Sequence, residues 1–175
     1  YSLGKVKNKI INAEPIFRNS DLVNISIRAV KSGDINNSHE FTNGLSSYEF
    51  CSLCRFAGLS TNLNLISFKS DYQSSAISSL VSEGIWYAID GMDSVVEENI
   101  DVNSDNYIFY NVSVDNFDLK FVKSLISNRW WVCLENINLV QMEKTYIPCV
   151  EDDYLLSKNS VLSDRILTRI KNKIT

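Results

Sequence analysis

A chain of 175 residues, 45% hydrophobic and 22% charged, has an ordinary globular composition and enough length to bury one domain's core. Its net charge of −4 gives no electrostatic reason to expect nucleic acid or an anionic membrane as a partner. No run of about 18 apolar residues occurs, so no membrane-spanning helix is expected. The start, Tyr1-Ser2-Leu3-Gly4-Lys5, has neither an initiator Met nor a signal-peptide pattern, as expected of a processed piece or the later part of a longer protein.

In chain order, Leu3 to Ala13 reads as a helix with Leu3, Val6, Ile10 and Ile11 on one side, ended by Pro15. Leu22 to Val30 reads as a strand buried on both faces, and a turn-rich loop follows from Lys31 to Gly44. Ser46 to Ala57 reads as a helix capped by Ser46 or Ser47, with Glu49 in its first turn and Gly58 as its terminator. Asn64 to Lys69 reads as a second strand. Ser74 to Gly91 reads as a long helix whose inner stripe is Ile77, Leu80, Val81, Ile85, Trp86 and Ile89. The order α-β-α-β-α predicts an α/β fold with a parallel sheet and crossover helices.

After an acidic loop at 97–106, the pattern changes. Tyr107 to Val114, Leu119 to Val122 and Arg129 to Leu134 alternate with short turns, which predicts an antiparallel meander. Thr145 to Cys149 is extended around Pro148, Glu151 to Leu156 a short helix, and Val161 to Ile174 a terminal helix with cations toward its end.

Few residues suggest chemistry. His39 with Glu40 sits in a polar loop with no second ligand, and reads as a surface pair. Cys51 and Cys54 form a C-x-x-C that invites a zinc or redox role, but they lie within a predicted helix with no second pair, which favours buried, reduced thiols and a cytoplasmic setting. Of Trp130 and Trp131, strand alternation puts one in a core and the other outward or toward a partner. Asp90, Asp93, Glu97 and Glu98 read as solvated acids, and Glu151-Asp152-Asp153 as a first-turn acidic cap or a weak cation site. There is no glycine-rich phosphate loop, no G-x-S-x-G and no H-E-x-x-H.

Six spaced stretches carry a family resemblance. They are Glu14-Pro15-Ile16-Phe17-Arg18-Asn19-Ser20-Asp21-Leu22-Val23, Asn43-Gly44, Cys51 through Arg55-Phe56-Ala57-Gly58-Leu59, Ile85-Trp86-Tyr87-Ala88-Ile89-Asp90-Gly91, Ser127-Asn128-Arg129-Trp130-Trp131 and Tyr146-Ile147-Pro148-Cys149. In this order they resemble the C-terminal half of arginase-family ureohydrolases, in the formimidoylglutamase-like branch of Bacteroidetes. The resemblance implies a three-layer α/β/α fold with a mainly parallel sheet, and in active members hydrolysis of guanidinium or amidine bonds by a water held between two manganese ions. It covers nearly the whole chain, and 1–175 is read as a single domain, the later part of an arginase-like fold.

The same resemblance implies a degenerate site. The G-G-x-H and D-A-H-x-D ligand segments of the family are absent, and the D-x-D-x-x-D-P segment falls on the opening strand. Its two ligand aspartates align with Ser26 and Arg28, and its final Asp-Pro with Lys31 and Ser32. The substrate-contacting stretch of the next strand aligns with Phe68-Lys69-Ser70-Asp71-Tyr72, which lacks the glutamate and proline. A hydroxyl and two cations cannot replace carboxylates around manganese. The expectation is therefore a pseudoenzyme without cofactor or catalytic residues, acting by self-association or through a protein partner. Two rivals stand beside it. The chain could be half of an active ureohydrolase whose remaining ligands lie upstream, or Arg28 and Lys31 could bind a carboxylate or phosphate, unless neighbouring acids neutralise them.

Overall fold

The computed structural model describes residues 2–36, 42–134 and 146–174. His39 and Glu40 lie outside the described residues, as does Thr145. The chain divides into two compact units, Tyr1–Glu97 and Glu98–Thr175. Among the described residues no helix is long and apolar enough to cross a membrane. The fold is mixed α/β, with a two-stranded parallel sheet in the first unit and a four-stranded antiparallel sheet in the second.

The expected first helix is three short pieces. Helix α1 (Leu3–Asn8) stops at Lys9, whose backbone is extended (φ −157°, ψ 92°), a 3-10 turn follows at Ile10–Ala13, and α2 is Glu14–Phe17. Pro15 starts a helix here instead of ending one. In a first turn, proline has no needed N–H to lose and its fixed φ suits the helix. Glu14 of α2 and Arg18, which caps it, are both buried and form an i,i+4 ion pair in which Arg18 Nε donates to Glu14 Oε1 at 3.1 Å.

Strand β1 (Leu22–Ser26) pairs in parallel with β2 (Leu65–Lys69), in register from Leu22 opposite Leu65 to Ser26 opposite Lys69. β1 ends four residues earlier than expected. Ile27–Ala29 forms a 3-10 turn, and Val30 makes an isolated bridge to Leu45. Ile27 and Val30 are both buried although three apart, a spacing that a strand alternating at every second residue cannot bury. Nor is β1 buried on both faces: Val23 and Ile25 enter the core, while Leu22 (60% exposed) and Asn24 point away. After β1 comes the one-turn helix α3 (Ser32–Ile35).

Helix α4 (Ser47–Gly58) starts as expected. The Ser46 Oγ accepts from the Glu49 N–H at 3.2 Å, and Glu49 Oε2 accepts from the Ser46 N–H at 2.7 Å, a reciprocal capping box. Helix α5 (Ser75–Asp93) is capped by Ser74, whose Oγ accepts from the Ile77 N–H. The two helices pack directly on each other. A Cβ on Gly58 would sit 2.0 Å from the Ala88 carbonyl oxygen, one on Gly91 2.3 Å from the Arg55 carbonyl oxygen, and one on Gly84 2.8 Å from the Phe50 ring. The inner face of α5 is therefore Ile77, Leu80, Gly84, Ala88 and Gly91, and the expected stripe is corrected: Ile85, Trp86 and Ile89 face away from the core. Gly58 does end α4, but its role is this close approach.

The second unit is the expected meander with a fourth strand: β3 (Tyr107–Val114), β4 (Phe117–Ser124), β5 (Trp130–Leu134) and β6 (Ile147–Cys149), each antiparallel to the next. Asp115 takes the left-handed conformation (φ 52°) in the two-residue β3–β4 turn, and Asn128 (φ 57°) does so before β5. Pro148 sits on the edge strand, where its missing N–H costs no ladder bond. Helices α6 (Glu151–Lys158) and α7 (Asp164–Ile174) contribute Tyr154, Ile166 and Ile170 to a core with Leu119, Phe121, Trp130 and Val132. Tyr154 stacks on Trp130 with ring centroids 5.3 Å apart. Both Trp130 and Trp131 are buried, because β5 is an inner strand covered on both faces. Asp153 Oδ2 accepts from the Val150 N–H at 3.0 Å and lies 3.3 Å from Arg165 Nη1, tying the first turn of α6 to α7.

Replacing Gly58 by Ala should lower stability by about 2 kcal/mol or more, since the helices must part to admit the methyl. Gly33→Ala on α3, where nothing lies within 4 Å, should be neutral or stabilising by up to ~1 kcal/mol. Urea unfolding midpoints of the two variants test the contrast.

Candidate functional site at the carboxyl ends of β1 and β2

The parallel pair ends with Ser26 and Lys69 side by side, where open α/β sheets gather ligands. Beyond Ser26, the 3-10 turn presents Arg28 outward and Lys31 precedes α3. The structure thus brings the three expected positions to one strand end. Arg28 and Lys31 each meet an acid there, whereas Lys69 forms no ion pair among the described residues. Arg28 Nη1 lies 3.5 Å from Asp71 Oδ2, with both side chains about half exposed, and Lys31 Nζ lies 3.2 Å from Asp34 Oδ1.

Asp34 is the more deeply engaged acid. Its Oδ2 accepts from the Ser47 backbone N–H at 2.7 Å and from Ser47 Oγ at 3.0 Å, fastening α3 to the first turn of α4. These bonds, the Ser47 N–H foremost, hold its carboxyl below the usual carboxylate range, with Lys31 adding to the effect. The main chain is fixed as well: the Lys31 N–H donates to the Leu45 carbonyl at 2.9 Å and the Leu45 N–H to the Ala29 carbonyl at 2.8 Å. Gly44 is required beside this bridge, since a Cβ there would lie 2.6 Å from the Lys31 nitrogen.

A cavity of about 10 Å³, room for a single water, lies between Ile27, Arg28, Ile35, Asp71, Tyr72 and Ile77. That volume admits no organic substrate in this conformation. Manganese does not fit the donor set either: Ser26 offers one neutral oxygen, Arg28 and Lys31 carry positive charge, and Asp71 and Asp34 are held by those same cations. Among the described residues no three His, Cys, Asp or Glu side chains group as a metal site. Asp71 and Asp34 are the residues that reading the strand alone did not single out. Their signal was local: Asp34 follows Lys31 at i+3, and Asp71 follows β2 by two residues.

The C-x-x-C lies inside α4 with both thiols buried. Burial, with the Glu83 charge, raises the Cys51 thiol, and burial pushes Cys54 up to about 12. A thiolate, the form that binds metal or attacks disulfides, is disfavoured at both. Comparison with protein-family models, curated proteins and solved structures finds no match to this chain.

Two outcomes follow. Asp34→Asn should cost about 1 kcal/mol at pH 7. Because the folded carboxyl titrates below its unfolded value near ~3.9, this stabilisation is complete above that pH and fades as pH falls through the folded value. Wild type and variant should therefore converge in Tm toward pH 2. Native protein at pH 8 should also resist a disulfide thiol reagent at Cys51 and Cys54, with reaction at both only on unfolding.

Proposed function

We propose that the chain is a non-catalytic, ureohydrolase-like domain of the arginase type that works as a structural or protein-interaction component. The observation that carries this reading is the strand end itself. The positions that resemble metal-ligating aspartates hold Ser26, Arg28 and Lys31, and the two cations are paired with Asp71 and Asp34. A salt-bridged surface where a metal cluster would sit has the chemistry of a retained scaffold and an abandoned reaction centre.

In this reading β1 and β2, joined through α4, are part of a wider parallel sheet in a three-layer α/β/α arrangement. Its support is that parallel pairs rarely stand alone and are normally covered on both faces. The four buried, free cysteines support a reducing compartment such as the cytoplasm.

Titration with Mn²⁺ tests the reading. A specific site raises Tm by mass action, by about 2.7 kcal/mol of stability at a hundredfold excess over Kd. No saturable rise is expected at millimolar Mn²⁺. A rise with sub-millimolar half-saturation, lost in Asp71→Ala or Asp34→Ala, would overturn it.

A further inference from the structure

From Gly84 onward, helix α5 buries its small residues and leaves its large ones exposed. Ile85, Ile89 and Met92 follow at i, i+4 and i+7 and form one outward stripe, with Trp86, three residues before Ile89, in the adjoining row. Trp86 is 72% exposed, against 5% for Trp130 and 7% for Trp131. Single exposed apolar residues are ordinary, but a contiguous helix face of Trp, Met and two Ile has the composition of an interface core.

The charge around this face selects what can cover it. No Lys, Arg or His occurs between Lys69 and Lys120, and in the first unit that stretch carries Asp71, Glu83, Asp90, Asp93 and Glu97. On α5, Asp90 is met by Arg55 of α4 at 2.5 Å, whereas Glu83 and Asp93 are exposed and without an ion pair among the described residues. Asp93 is the last residue of α5, where the helix dipole is already negative, so the two fields add instead of cancelling. A second copy laid on this face would set acid against acid, and an anionic lipid surface or nucleic acid would be repelled.

We infer that the outward face of α5, built on Trp86, Ile85, Ile89 and Met92 and edged by Glu83 and Asp93, docks a cationic amphipathic helix of a partner protein. This deepens the protein-interaction reading above and rests on it. The partner lays an apolar stripe against Trp86 and Ile89, and its flanking Lys or Arg residues face Glu83 and Asp93.

The probe is a synthetic Leu/Lys amphipathic helical peptide, with a Leu/Glu peptide of identical pattern as its control. Because Trp86 is the exposed tryptophan, acrylamide quenching and the emission maximum report on this face directly. The Leu/Lys peptide should blue-shift the emission and reduce quenching, the Leu/Glu peptide should do neither, and Trp86→Phe should abolish the optical response. Anisotropy of a labelled Leu/Lys peptide should show affinity falling about tenfold or more in Glu83→Lys/Asp93→Lys, both exposed sites that leave the fold intact, and falling with added salt. Equal binding of the two peptides, no effect of charge reversal, or no protection of Trp86 would overturn the inference. So would a dimer of the chain alone that Trp86→Asp dissolves, since the occupant would then be a second copy. None of these outcomes touches the Mn²⁺ test, so failure of this inference is distinguishable from failure of the broader reading.

Discussion

The first unit depends on how closely α4 and α5 approach each other. Backbone meets backbone at Gly58 and Ala88 and again at Gly91 and Arg55, so the contact is set by glycines and leaves no room for a side chain. This fixes the rest of the unit. With the helices that close, Phe50 can reach under Gly84 and also lie 6.0 Å from the Phe68 ring of β2, so one side chain links both helices to the sheet. The inner residues Val23 and Ile25 of β1 then close the same core. A tight helix pair also decides which side of α5 faces water, because small residues are the ones that permit the approach.

The carboxyl end of β1 is held by a different kind of force. Hydrogen bonds and ion pairs do the fixing there: Val30 and Leu45 bridge, Asp34 reaches Ser47, and Arg28 and Lys31 each face a carboxylate. Exposed pairs such as Arg28–Asp71 contribute little stability, on the order of 0–1 kcal/mol. Their consequence is electrostatic. Charge that could have attracted an anion is offset locally, and acids that could have held a cation are offset in return. Arg28 and Lys31 are thus locally offset in charge, and the backbone that carries them is tightly specified.

Much of the fold was legible because local rules agreed with one another. A serine cap at 46 or 47 with Glu49 in the first turn, the α-β-α-β-α order and the bounds of β3 came from spacing alone, since capping geometry and strand alternation are short-range; the structure selects Ser46 and completes the capping box. The failures have separate causes. β1 was read too long because Ile27 and Val30 look like strand residues, and only their joint burial three apart reveals the turn. The α5 stripe was read correctly at Ile77, Leu80 and Val81 and misassigned at Ile85, Trp86 and Ile89, because size was taken as a mark of burial. In that later half the inner face is written in small residues, Gly84, Ala88 and Gly91, whose spacing of four and three is as helical as that of the bulky ones. One of Trp130 and Trp131 was expected outward or toward a partner, but alternation predicts an exposed face only when a strand has one, and both rings are buried in the inner strand β5.

The contrast among the three tryptophans connects fold to function. Trp130 is fixed by Tyr110 and Tyr154, and Trp131 lies opposite Val122 and Pro148 on neighbouring strands, so both serve the sheet that contains them. Trp86, 72% exposed, lies on the far side of a helix whose inner face is Ile77, Leu80, Gly84, Ala88 and Gly91. A folding requirement would have placed a polar residue there at no cost to the core. An exposed indole near two carboxylates without an ion pair among the described residues would suit an apolar cover carrying positive charge at its edges. The carboxyl end of β1 is thus closed by salt bridges, whereas the outer face of α5 keeps its large apolar side chains exposed.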